Sequence, residues 1–196
     1  MKKLLGLGLS ALLVANACSV LPEPEQVRIY PLNVAALAPT AEVFSGTLRV
    51  DEPTALLALD TPRVAVYQED GRQAYWQGVR LQDRMPVVVQ ESLLRAIGAS
   101  GVVRQVVGEA SGSHYRVELQ THIEDFGIML GPEPTVATVV IRVQLRSAHD
   151  REVIASHRFA AQTPVTNAST ERRMDALAVS FQRVQEQLVE WLAKTL

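Results

Sequence analysis

Residues 115–162, YRVELQTHIEDFGIMLGPEPTVATVVIRVQLRSAHDREVIASHRFAAQ, decide the fold. Tyr115, Val117, Leu119, Thr121 and Ile123 alternate with Arg116, Glu118, Gln120 and His122. That period of two is the mark of a half-buried antiparallel strand. Ala137, Val139, Ile141, Val143 and Leu145 repeat it. His149-Asp150 then turns the chain into a third run, Glu152 to Gln162. The three runs predict a meander of long strands.

Working outward, the segment after the meander is the clearest helix. Met174, Leu177, Ala178, Phe181, Val184, Leu188, Trp191 and Leu192 recur at spacings of three and four, and charged residues occupy the other faces. Before the meander, a second helix is expected from Asp83 to Ile97, with Asp83 as its cap, Pro86 in its first turn, and Gly98 and Gly101 to stop it. Val102 to Val107 reads as a strand. Arg63–Tyr67 and Arg72–Trp76 flank Glu69-Asp70-Gly71, the best hairpin signal in the chain. Short strands are expected at Arg28–Leu32 and Gly46–Val50, and a short helix from Pro53 to Leu59. The sum is an α+β single domain: a mostly antiparallel sheet with two main helices packed on one face.

The first eighteen residues, MKKLLGLGLSALLVANAC, have a different character. Lys2 and Lys3 precede an apolar run to Ala15, too short for a spanning helix and of secretory length. Cys18, the only cysteine, directly follows the small residue Ala17. This reads as a lipoprotein signal peptide over 1–17 with lipid attachment at Cys18. The alternative is ordinary secretion, with Ala15 and Ala17 forming the cleavage site and Cys18 a stray thiol. Residues 18–27 carry Pro and Glu without apolar periodicity and read as a lipidated tether. Ser19, instead of Asp, after the cysteine favours the outer membrane. Residues 28–196 then form the folded domain.

Composition narrows the rest. The chain has 19 Lys and Arg against 21 Asp and Glu, and losing Lys2 and Lys3 makes it more acidic still. No basic face points to nucleic acid. With Cys18 acylated no disulfide can form, so stability must come from packing.

Chemistry is sparse. His114, His122, His149 and His157 lack metal-site spacing, and no serine sits in a nucleophile elbow. Glu124 and Asp125 are neighbours on a strand and should point to opposite faces. No catalytic residue, metal ligand or cofactor is expected beyond the covalent lipid on Cys18. One segment stands out: Phe126, Ile128, Met129 and Leu130 lie between two long strands, where a connection is normally polar. They either meet a partner or a lipid, or fold back over the sheet end as a satellite core. Trp191 has the same two readings.

At this point the order of elements resembles a known family, the ABC-type transport auxiliary lipoproteins of the PqiC/YmbA type. Tyr30-Pro31-Leu32 looks like the family's Tyr-x-Leu strand after the lipidated cysteine. Asp60-Thr61-Pro62-Arg63-Val64-Ala65-Val66, then Ala74-Tyr75-Trp76, match its next strand and hairpin. Arg80-Leu81-Gln82-Asp83-Arg84-Met85-Pro86 corresponds to its Arg-Trp-Ala-Asp segment, with Leu81 in place of tryptophan. Glu124-Asp125-Phe126, Val153-Ile154-Ala155-Ser156 and the closing helix with Phe181 and Trp191 also fit.

The resemblance implies a non-enzymatic auxiliary subunit, lipid-anchored on the periplasmic face of the outer membrane. Its expected partners are an MCE-domain periplasmic protein and the ABC permease and ATPase of a system moving lipids or other hydrophobic compounds. A homo-oligomer such as a ring would suit a tethered adaptor, though no feature counts its subunits. A lipoprotein regulator of another envelope machine, such as a cell-wall synthase or secretion complex, would share the same body and tether.

Overall fold

The computed structural model describes residues 27–32, 44–131, 134–165 and 169–196. The signal segment, Cys18 and the tether up to Gln26 lie outside them. The strands are β1 (Arg28–Tyr30), β2 (Phe44–Val50), β3 (Thr54–Ala55), β4 (Arg63–Tyr67), β5 (Gln73–Leu81), β6 (Val103–Gly108), β7 (Val117–Met129), β8 (Val136–Ser147) and β9 (Val153–Pro164). Helix α1 spans Met85–Ser100 and α2 spans Thr170–Thr195. No described helix is long and apolar enough to cross a membrane.

The meander forms as the alternation demands. β7 pairs with β8 and β8 with β9, both antiparallel, each over almost the whole strand. The other edge of β7 carries three strands in succession, all parallel to it. β2 pairs at Val117–Leu119, β3 at His122–Ile123 and β4 at Gly127–Met129. Outside β2 lies β6, and outside β4 lie β5 and β1. The sheet therefore forks along β7. The α+β class holds, but these parallel pairings leave no period-two signature of their own.

Both helices cover one face. Val89, Leu93 and Ile97 of α1 are buried with Leu48 and Val50 of β2 in the core. Leu177, Phe181, Val184 and Leu188 of α2 are buried with Leu119, Ile123, Ile141 and Val143. The Gln185 amide donates to the Ser92 hydroxyl at 2.8 Å, joining the two helices. The Ser180 hydroxyl donates to the Ala137 carbonyl at 3.0 Å and lies 2.8 Å from that of Thr163, tying α2 to β8 and β9.

The ends of the helices differ in part from expectation. Ser169 caps α2, accepting from the Arg172 N–H at 3.3 Å. Asp83 does not cap α1. The cap position is Arg84, whose own N–H donates to the Asp83 carboxylate at 2.6 Å. Pro86, which has no N–H to satisfy, lies in the first turn. Gly101 at φ 69° ends α1, while Gly98 lies inside it. The short helix expected over Pro53–Leu59 is instead strand β3 followed by a turn. Thr54 and Ala55 find partners on β7 before a helix can start.

Phe126 of β7 meets Phe181 of α2 edge-to-face, with centroids 5.3 Å apart. Truncating such a buried ring costs about 3–5 kcal/mol. For a chain of this size Phe181→Ala should lower Tm by about 10 °C in a thermal melt followed by circular dichroism.

Candidate functional site

Alternation that buries one set of side chains must present the other. The face of the sheet opposite the helices carries Arg49 on β2, Glu118, Gln120, His122 and Glu124 on β7, Arg142, Gln144 and Arg146 on β8, and Arg158 on β9. Opposite charges fall across neighbouring strands, where the register brings them together.

Two carboxylates organise this face. Glu118 accepts from Arg49 at 2.7 Å, from the Tyr115 hydroxyl at 3.3 Å and from the Gln120 amide at 3.2 Å. Arg146 approaches its other oxygen at 3.4 Å. Arg49 also donates to Asp51 at 2.6 Å and lies 4.1 Å above the Tyr115 ring. Burial works against the Arg49 charge, but the hydrogen bond and charge of Asp51, with Tyr115 and Glu118, outweigh it and raise its pKa. Glu124 is gripped by Arg158 at 2.6 Å and Arg142 at 2.5 Å. The Arg158 hydrogen bond, helped by both arginine charges, holds the Glu124 carboxyl below its ordinary value.

A cleft of about 330 Å³ opens between these groups, lined by Glu52, Thr54, Gln120, His122, Arg142 and Gln144 among others. His122 Nδ1 lies 2.9 Å from the Thr54 hydroxyl. Among the described residues no group of three or more His, Cys, Asp or Glu could hold a metal ion. The cleft can offer hydrogen bonds and charge to a polar surface.

The segment singled out by sequence is placed differently from expectation. Residues 126–129 are not a connection; they complete β7. The pairing of β7 with β8 slips between Ile123 and Asp125, a bulge that resets the alternation. Ile123 and Phe126, three apart, consequently both face the core, and Glu124 and Asp125 are not split between the core and the open face as strict alternation requires. Phe126 and Ile128 are fully buried, so neither is available to a partner. Met129 is 38% exposed and Leu130 is half-buried against the core. Cys18 lies outside the described residues. Trp191 is half-buried, edge-on to Phe159 at 6.0 Å and stacked with His157 at 6.2 Å.

Gly127 shows how tight this end is. A Cβ there would lie 2.3 Å from the Ala65 carbonyl oxygen, so no side chain fits between β7 and β4. Next to it, burial and the nearby Asp125 carboxylate push the Tyr67 phenol up to about 12.

Two features went unread in the sequence. One is the arginine–carboxylate lattice, signalled only by charges two apart on adjacent strands. The other is Leu56 and Leu57, 68% and 88% exposed in the turn after β3. An amphipathic helix would have hidden one of them; the turn hides neither.

A model of the family described as ABC-type transport auxiliary lipoprotein component matches residues 30–190. A Xanthomonas campestris protein of the family DUF330 superposes with a TM-score of 0.78 at 23% identity, over 86% of this chain and 96% of the other. An uncharacterized protein does so with a TM-score of 0.69 at 11% identity, over 86% and 99%. A hypothetical protein from Chlamydia trachomatis gives 0.51 at 11% identity, over 77% and 97%. At such identities these structures share the fold. No curated protein matches the sequence.

Two tests follow from this geometry. Ile128→Asp should cost about 4 kcal/mol or more, because it buries an unpaired carboxylate, whereas Met129→Asp should stay within about 1 kcal/mol in urea unfolding. The Glu124 pKa is lower in the folded chain than in the unfolded one. Its ionisation therefore stabilises the fold fully above the ordinary carboxylate value and loses that effect as pH falls toward the folded value. The stability gap between the unmodified chain and Glu124→Gln should be constant near neutral pH and narrow on acidification below the ordinary Glu range.

Proposed function

Because this chain belongs to the ABC-type transport auxiliary lipoprotein family, we propose that it is a membrane-anchored, non-catalytic subunit of an ABC transport system in the envelope. The family match over residues 30–190 is the observation that carries the reading. The lipid on Cys18 fixes the chain to the periplasmic face of the outer membrane. The domain 28–196 then engages an MCE-domain protein through which lipids or other hydrophobic compounds pass toward or from the permease and ATPase.

The sheet suits an adaptor. A docking face works best when its groups are held in place before the partner arrives, because ordering long side chains on contact costs affinity. Arg49, Arg142, Arg146 and Arg158 of the open face are already pinned by Glu118 and Glu124. Such pairs add little stability when exposed, but they fix a charge pattern that a partner can match.

Cys18→Ser should move the chain from the membrane fraction to the soluble periplasm while its Tm is unchanged. The anchored chain should recover an MCE-domain protein after crosslinking and affinity purification. Recovery of a cell-wall synthase or secretion component, with no MCE protein, overturns the partnership. Retention of the Cys18→Ser chain on the membrane overturns the anchor.

A further inference from the structure

β1 begins at Arg28, directly after the tether, and lies parallel to β5 at the outer edge of the fork. Arg28 and Tyr30 turn toward α2, where both reach Glu171. Ile29 must then point the other way, onto the open face, in register with Arg80. Val27 and Ile29 are 45% and 65% exposed. Beside them is a shallow groove lined by Val27, Arg63, Tyr75, Gln77 and Arg80, with no carboxylate among its lining residues. Arg63 and Arg80 face each other across β4 and β5, and both are exposed. Arg63 lies 5.3 Å over the Tyr75 ring. The Tyr75 hydroxyl donates to the Ala58 carbonyl at 3.1 Å, which brings the turn carrying the exposed Leu56 and Leu57 next to Tyr75.

This corner differs from the rest of the open face. Elsewhere on that face arginines meet carboxylates; here two arginines have no ion pair among the described residues and apolar side chains surround them. Positive charge ringed by exposed aliphatic groups is complementary to the headgroup region of an anionic bilayer, where phosphates and acyl carbons lie side by side. The position of the corner matters too. From Cys18 to Val27 the chain spans at most about 30 Å even fully extended. An acyl group on Cys18 therefore keeps this corner within one short tether of the bilayer, and Val27 is the residue at which the tether joins the patch.

We infer that the Val27–Ile29–Arg63–Arg80 corner, with Leu56 and Leu57 at its margin, rests on an anionic phospholipid surface and orients the domain with its remaining face free. The inference depends on the reading that Cys18 carries the lipid. Arg63 and Arg80 contact lipid phosphates; Ile29, Leu56 and Leu57 enter the boundary between headgroups and chains.

The test uses the full lipidated chain in vesicles of equal parts phosphatidylcholine and phosphatidylglycerol, with a bimane label on Ile29→Cys. Cys18 is acylated, so the new thiol is the sole reactive one. Doxyl-labelled lipid should quench the label at position 29 and leave an equivalent label at Arg95→Cys on α1 unaffected. Arg63→Glu with Arg80→Glu should abolish the quenching, since each basic residue at an anionic surface is worth roughly fivefold in contact. Arg95→Glu with Arg172→Glu, an equal change of charge, should leave it intact. Near-ultraviolet circular dichroism confirms that each variant is folded. Equal quenching at positions 29 and 95, or quenching indifferent to the double reversal at Arg63 and Arg80, overturns the inference. Mass spectrometry of the same sample reports the acyl group on Cys18 independently. If that group is absent, the anchor reading fails on its own, and co-sedimentation of the unacylated chain with these vesicles decides the patch: binding lost in the double reversal upholds it, and no binding overturns it.

Discussion

One extra residue on β7 governs this molecule. β7 runs for thirteen residues against the core, and the slip between Ile123 and Asp125 shifts which of its positions face it. Before the slip, Leu119 and Ile123 face the helices; after it, Phe126 and Ile128 do. The same slip ends the stretch of β7 that serves β2 and β3 and begins the one that serves β4. Glu124, at the slip itself, is clasped by two arginines from the strands beyond. Core, fork and charge lattice thus meet at one point of β7.

Much of this was legible. The heptad-like spacing from Met174 to Leu192 and the alternation of β8 are strong signals because each element meets one large surface with a fixed period. The lost parts are those where period stops being a guide. Pro53–Leu59 looks helical alone, yet two of its residues are taken by β7. Asp83 has the right chemistry for a cap and sits one position too early. Phe126 and Ile128 looked like an apolar connection because the alternation breaks before them; a bulge leaves no residue signature when no glycine marks it. Leu56 and Leu57 were invisible for a related reason, lying within the short helix expected over Pro53–Leu59.

The two faces of the sheet divide the labour. On the helix side, burial of Leu, Ile, Val and Phe supplies stability, with a few internal hydrogen bonds setting orientation. On the open side, paired charges set the shape of the potential. Family membership makes such a division sensible: the covered face holds the domain together and the bare face is left for neighbours.

The long helix α2 carries a consequence for how the fold is completed. α2 occupies the last 26 assigned helical residues, Thr170–Thr195, and its contacts reach back to β1, α1, β7, β8 and β9. Without it, the central sheet has half its cover missing and Phe126 lacks the Phe181 ring. Long-range closure of this kind delays completion of the fold until α2 has docked. A sheet covered by so distant a segment is therefore closed last where it is largest, over the β7–β9 meander.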